Sequence, residues 1–282
     1  MAKTWQCGRF EFTLDRPVLM GVVNVTPDSF SDGGHYAATE AAVKHARQLI
    51  KEGANAIDIG GESTRPGAEP VSNKRELDRI MPVLESLRHA GVALSIDTCK
   101  PDVMRAVLDA GADIINDVTG FRDSQAQAIV SAHGRCGLCV MHMRGEPRTM
   151  QQAPVYDDVV TEVVSWLGEQ ANLLISLGIA SNRLSLDPGF GFGKTIEHNY
   201  KLLRHLDELV ALGHPVLVGL SRKSMIGAVT GRPVDQRLAG SLAGALAGLY
   251  RGARIVRTHD VASVKDAIEI WQAVEFGPKE AP

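Results

Sequence analysis

No apolar stretch in this 282-residue chain approaches the roughly 20 residues that a helix needs to cross a bilayer. The candidate nearest that length, Leu238–Tyr250, carries Gly240, Gly244 and Gly248 at every fourth position, which reads as a soluble helix with a small face. Either the body of the fold or a second subunit could approach that face closely. The opening residues Met1–Trp5 lack the apolar core of a secretory signal. Charge of one sign is lacking too: a net charge of −3 gives no electrostatic case for nucleic acid or an anionic membrane surface. Any phosphate group must therefore be held by local cations. Cys7, Cys99, Cys136 and Cys139 are too few and too scattered for a disulfide framework. Cys136 and Cys139 have C-x-x-C spacing, but Cys139 falls inside an apolar run and no second pair completes a tetrahedral site. Reduced thiols and a cytoplasmic location are expected. H-E-x-x-H is missing, and where a metal-dependent hydrolase of barrel fold carries H-x-H the chain reads Val23-Asn24-Val25-Thr26, so an all-protein zinc site is not expected.

What is present is a rhythm. Eight short apolar runs, all but the second finishing in a polar residue, are Val18–Asn24, Ala56–Gly60, Ala93–Asp97, Asp113–Asn116, Leu138–His142, Leu184–Asp187, Val216–Ser221 and Ile255–His259. Runs of this length read as parallel strands buried on both faces, and most of the intervals are helical in pattern. Hydrophobic content of 44% supplies the core, and no linker interrupts the rhythm. The expectation is an α/β chain forming one domain over residues 1–282, a (β/α)8 TIM barrel over residues 16–275. A short N-terminal β-hairpin over residues 3–15 plugs its amino-terminal end, and 276–282 form a loose tail. Helix one is expected from Thr39 to just before Gly53. Helix two runs from Ser72 to before Gly91 with a kink or break at Pro82. A helix over Glu197–Leu212 follows later. In such a barrel the strand ends converge on one mouth. That gathers Asn24, Asp97, Asn116, Asp187, Lys223, Arg257 and His259 into a single site.

Asp97 and Asp187 each end an apolar strand, where a carboxylate is costly unless paired or bound to a ligand. With Asn116 between them they suit a ligand edge rich in N–H donors. Ser221-Arg222-Lys223-Ser224 and Arg257-Thr258-His259-Asp260 follow strands seven and eight, where barrels of this type often bind phosphate. Asp187-Pro188-Gly189-Phe190-Gly191-Phe192-Gly193-Lys194 fails both nucleotide patterns: Pro188 stands where the P-loop needs glycine, and Lys194 where the dinucleotide fingerprint does. A lone amide oxygen at Asn24 suits Mg²⁺ that takes its other ligands from water and substrate phosphates. His142 reads as a packed barrel-lining histidine.

These residues resemble one family. Asn24 to Gly34, Gly60 to Gly67, Asp97 to Pro101, Ile115-Asn116-Asp117, Asp187 to Lys194, Ser221 to Ser224 and Arg257 to Asp260 lie in the order of the dihydropteroate synthases, over roughly residues 16 to 275. Cys99 stands where serine is expected and Thr258 where an apolar residue is. The resemblance implies condensation of (7,8-dihydropterin-6-yl)methyl diphosphate with 4-aminobenzoate to 7,8-dihydropteroate and pyrophosphate, in folate synthesis. It also implies Mg²⁺, a homodimer and inhibition by sulfonamides. By the same resemblance Asp97, Asn116, Asp187 and Lys223 hold the pterin, and Arg257, His259, Thr64 and Arg65 hold the diphosphate. Asn24 holds the metal, and Phe190, Pro66, Phe30 and Ser221 shape the aminobenzoate pocket. Asp97, Asp187 and Lys223 are the expected catalytic groups. Two other readings keep the barrel: a pterin-binding methyltransferase module, and a non-catalytic pterin-binding protein. Neither needs a diphosphate grip.

Overall fold

Short strands with alternating inner and outer side chains set the architecture. The computed structural model describes residues 4–25, 34–63, 69–145, 150 and 154–277. The strands β1 (Thr4–Cys7) and β2 (Phe10–Thr13) pair antiparallel. The barrel strands follow: β3 (Val18–Asn24), β4 (Ala56–Gly60), β5 (Ala93–Asp97), β6 (Ile114–Asp117), β7 (Gly137–Met141), β8 (Leu184–Asp187), β9 (Leu217–Val218) and β10 (Ile255–Thr258). They form one eight-stranded sheet in the order β8-β7-β6-β5-β4-β3-β10-β9. Its two edges meet where Leu186 bridges Val216 in parallel and donates its N–H to the Pro215 carbonyl at 2.9 Å. The expected (β/α)8 barrel is what the chain forms. Strand seven is shorter than the run Val216–Ser221 suggests, because Gly219 brings no side chain to pack and weakens a strand.

Alternation decides what faces the axis. In β4, Ile57 and Ile59 join the large cluster under the helices, while Ala56 and Asp58 point inward. In β5, Leu94 and Ile96 face the helices and Ala93, Ser95 and Asp97 face the axis. The lowest inner layer is apolar: Val18, Met20, Ala56, Ala93, Ile114, Cys139, Leu217 and Ile255 pack with Trp5, Cys7 and Leu14. The hairpin thus seals the amino-terminal end, as expected. Trp5 is 0% exposed and donates its indole N–H to the Arg183 carbonyl at 3.1 Å. The inner face above this floor turns polar, and chemistry is confined to the opposite end.

Around the barrel lie α1 (Gly34–Glu52), α2 (Asn73–Leu87), α3 (Pro101–Asp109), α4 (Ser124–His133), α5 (Val159–Ser176), α6 (Ile196–Arg204), α7 (Leu206–Val210), α8 (Ser224–Thr230), α9 (Leu238–Tyr250) and α10 (Val261–Phe276). Ser72 caps α2 by accepting from the Arg75 N–H, as its sequence suggests. The helix nonetheless runs unbroken through Pro82, with Ser86 Oγ donating to the Pro82 carbonyl at 2.8 Å. The apolar face Ile80, Val83, Leu84 and Leu87 is fully buried, and that packing outweighs the one backbone bond proline removes. Helix α1 begins at Gly34, a turn before Thr39, since Ala37 and Ala38 favour helix. Glu197–Leu212 divides into α6 and α7 at His205, whose backbone leaves helical geometry. Helix α10 extends to Phe276, past the expected start of the tail.

The small face of α9 lies against the barrel. A Cβ on Gly240 would run into Ile226, one on Gly244 would sit 3.2 Å from Leu220, and one on Gly248 3.1 Å from Val218. These glycines admit β9, Leu220 and α8, so of the two neighbours the spacing allowed, the body of the fold lies against this face.

Candidate active site

The carboxyl ends of the strands bring the expected residues together. Asp97 ends β5, Asn116 lies in β6, Asp187 ends β8 and Arg257 lies in β10. At their centre is Asp58, 0% exposed on β4. Its carboxylate accepts from Ser95 Oγ at 2.5 Å, from Arg257 Nε at 2.6 Å and from Asn116 Nδ2 at 3.1 Å. Arg257 also donates through Nη2 to Asp97 Oδ2 at 3.0 Å. One guanidinium therefore bridges two carboxylates, and the bridge fixes Arg257 and Asp97 relative to Asn116.

The charges are strongly perturbed. Burial, and next the Asp58 carboxylate, push Asp97 up to about 7 against the pull of Arg257. Burial works against the charge on Arg257, yet Asp58 and Asp97 hold its pKa above the ordinary arginine value. Burial also raises Asp187, with Lys223 opposing, and lowers Lys223 to about 8, with Asp187 opposing. Asp187 Oδ1 accepts the Gly189 N–H at 2.7 Å. Lys223 donates to the Phe190 carbonyl, and its Nζ stands 4.8 Å from the centre of the Phe192 ring.

Just past β9 and β10, Ser221 Oγ lies 3.0 Å from His259 Nδ1 and accepts the His259 N–H at 3.2 Å. Arg222, with a left-handed φ of 60°, pairs with Asp260. Of these two cations it is Lys223, the one the sequence places at the mouth, that turns inward. Phe190 is fully buried in the main core, so in this conformation it offers the mouth its carbonyl rather than its ring. Phe30, Thr64, Arg65 and Pro66 lie outside the described residues. His142 is buried, packs edge-on against Trp166, and is pushed down to about 2 by burial. Cys136 and Cys139 are both buried and free, with burial raising both thiols.

The mouth thus combines carboxylate acceptors, a lysine and an amide on one side with a guanidinium and an imidazole beside them. That suits a planar N–H-rich heterocycle joined to an anion. A groove of about 1050 Å³ between α1 and α2, lined by Lys44, Arg47, Lys51, Asp78 and Glu85, lies on the outside of the barrel.

The sequence model of a family described as pterin binding enzyme matches residues 20–259. A dihydropteroate synthase of Neisseria meningitidis serogroup C is 51% identical over 274 residues, 96% of this chain and 97% of that protein. The chain belongs to the dihydropteroate synthase family. The structure of Xanthomonas albilineans dihydropteroate synthase with 4-aminobenzoic acid superposes with a TM-score of 0.92 at 49% identity, covering 99% of this chain and 100% of that one. Burkholderia cenocepacia dihydropteroate synthase complexed with 7,8-dihydropteroate gives a TM-score of 0.87, also at 49% identity, over 96% of both chains.

Sequence reasoning missed Asp58 among the site residues of this dihydropteroate synthase family member. A signal for it existed: in Ala56-Ile57-Asp58-Ile59-Gly60 the carboxylate shares its face with Ala56 and Gly60, opposite two isoleucines. That places it inside the barrel.

Proposed function

We propose that this chain condenses (7,8-dihydropterin-6-yl)methyl diphosphate with 4-aminobenzoate, releasing 7,8-dihydropteroate and pyrophosphate in folate synthesis. The observation that carries the reading is that Asp97, Asn116, Asp187 and Lys223 share one mouth with Arg257 and His259. Asp187 and Asp97 would accept from the pterin's N–H donors, while Lys223 and Asn116 would meet its acceptors. Ser221 and Lys223 would meet the aminobenzoate carboxylate. Thr64 and Arg65 belong to the proposed diphosphate grip, and Phe30 and Pro66 to the aminobenzoate pocket.

The aniline amine is neutral at pH 7 and needs no strong base, so the barrier lies in cleaving the C–O bond to pyrophosphate. Arg257 and His259 stabilise charge building on the leaving oxygens. Asp97 and Asp187 face a pterin whose electron-rich ring spreads the positive charge developing at the methylene carbon. A dissociative substitution follows, in which the amine captures a cation shielded from water.

Mg²⁺ fits the mouth. Asn24 Oδ1 and Asp97 Oδ2 lie 3.7 and 3.9 Å from the point where a Cβ on Gly60 would sit, so that glycine leaves room between two hard oxygens. An ion held by Asn24 would take its remaining ligands from water and phosphate. Asn24 would hold Mg²⁺, which when bound neutralises diphosphate charge. A homodimer is supported by the apolar residues exposed on and between the last helices: Val229, Val234, Leu238, Tyr250, Ile270 and Val274. Four free cysteines, and no described helix long and apolar enough to cross a membrane, support a cytoplasmic protein.

Incubation with both substrates and Mg²⁺, following pyrophosphate, tests the activity. Equimolar pyrophosphate and dihydropteroate support it; pterin binding without pyrophosphate favours the methyltransferase module or a plain binding protein. Pyrophosphate release from the pterin substrate alone supports the dissociative route, and a strict requirement for the amine opposes it.

A further inference from the structure

The glycine-rich segment after β8 matched no nucleotide pattern, and its lysine has no part in the reaction above. Lys194 is 2% exposed. Its Nζ donates to the carbonyls of Phe192 at 3.0 Å, Gly189 at 3.1 Å and His142 at 3.3 Å, and lies 3.0 Å from His142 Nδ1. Four acceptors converge on one ammonium, and none is a carboxylate. The chain has built a carbonyl-lined seat for a cation and filled it with its own side chain. Burial drives the Lys194 pKa well below the ordinary lysine value, with the Asp187 charge pulling the other way. A buried cation without a paired carboxylate is costly, so the question is what it holds in place.

It holds a turn that no ladder supports. Gly189, Gly191 and Gly193 take left-handed φ values of 66°, 80° and 62°. Cβ atoms on Gly189 and Gly193 would strike the carbonyls of His142 and Arg144, so the turn is pressed against the chain leaving β7. The carbonyls that Lys194 ties, at Gly189 and Phe192, flank the two groups that seat Lys223: the Phe190 carbonyl and the Phe192 ring. From outside, Asn199 Oδ1 accepts the Gly191 N–H at 2.7 Å and Tyr156 donates to the Gly193 carbonyl at 2.9 Å.

We infer that Lys194 is a positioning residue, an internal cation that shapes the Gly189–Gly193 turn and, through Phe190 and Phe192, aims Lys223 at the pterin. The inference rests on the reading of Lys223 as a pterin contact. A cation seat explains why a lysine ends a turn that is not a P-loop, and why its partners are carbonyls.

The test is a double-mutant cycle on the full chain, with 6-hydroxymethyl-7,8-dihydropterin as probe and calorimetry as readout. Lys194→Met keeps length and removes the donors; pterin binding weakens about tenfold or more. Lys223→Met also weakens it, and the double variant binds no worse than Lys223→Met within about threefold. In Lys194→Ala, ammonium or ethylammonium chloride restores binding in proportion to concentration. Sodium chloride at equal ionic strength does not, and the parent protein responds to neither. If Lys194→Met fails to fold, Lys194→Arg, which keeps charge and donors, carries the same cycle with a smaller loss. Losses that add in the double variant, or Lys194→Met binding the pterin like the parent while Lys223→Met does not, overturn the inference alone. Unchanged binding by Lys223→Met overturns the reading of Lys223 and the inference with it.

Discussion

Asp58 is the sharpest place to perturb this site, because three donors depend on it and none is replaceable by water at 0% exposure. Asp58→Asn keeps the shape and removes the charge. Hydrogen bonds to a charged group contribute about 1.5–3 kcal/mol each and neutral ones about 0.5–1.5 kcal/mol, so the bond from Arg257 Nε at 2.6 Å alone loses on the order of 1 kcal/mol. The bonds from Ser95 and Asn116 weaken less, and the variant loses about 1–2 kcal/mol in all. Asp58→Ala strands the guanidinium, a change that costs about 3–5 kcal/mol for a buried pair. The lower end applies here, since the Arg257 side chain is 22% exposed and Asp97 still holds Nη2. Urea unfolding measures both losses. Steady-state kinetics adds the functional arm. On the proposed reading Arg257 and Asn116 both serve the pterin diphosphate, so its KM rises about tenfold in Asp58→Asn, equivalent to 1.4 kcal/mol, while that for 4-aminobenzoate changes less. Asp58→Ala within about 0.5 kcal/mol of the parent, the range of an ordinary surface substitution, would refute the hub.

With Asp97 raised to about 7, two trends of opposite sign are expected. The folded state prefers the proton, so Asp97 contributes stability that is present below its unfolded pKa near 3.8 and lost as pH rises through about 7. Pterin affinity rises over the same upper range as the carboxylate becomes free to accept N–H donors. Melting curves with and without pterin from pH 5 to about 8 check both, and Asp97→Asn flattens both. Gly240→Ala drives a Cβ into Ile226 and lowers stability by about 1–3 kcal/mol; an unchanged melting temperature would mean α9 does not pack as described. Trp5→Ala empties the barrel floor at a cost of about 3–5 kcal/mol in urea unfolding, with kcat unaltered below the transition because the mouth is at the other end.

Much of this was legible before any coordinates. Strand ends carrying Asp97, Asn116, Asp187 and His259 announce themselves because a polar residue closes an apolar run, and one-sided convergence is a property of the barrel. Asp58 hid inside a run instead of ending it, and only counting by two exposes it as inward-facing. Lys194 was visible as part of a motif, but three of its four partners are backbone carbonyls, which no side-chain pattern encodes. Pro82 does not break α2, because an apolar helical face is buried against the barrel. The division at His205 and the short β9 are local backbone choices that composition does not determine.

One arrangement underlies the whole account, with heterocycle and leaving group recognised side by side by different residues of the same mouth. Binding of 6-hydroxymethyl-7,8-dihydropterin and of its diphosphate, with Asp187→Asn and His259→Ala, measures it. Asp187→Asn should weaken both ligands by the same factor, and His259→Ala only the diphosphate. Equal losses for both ligands in both variants would contradict it.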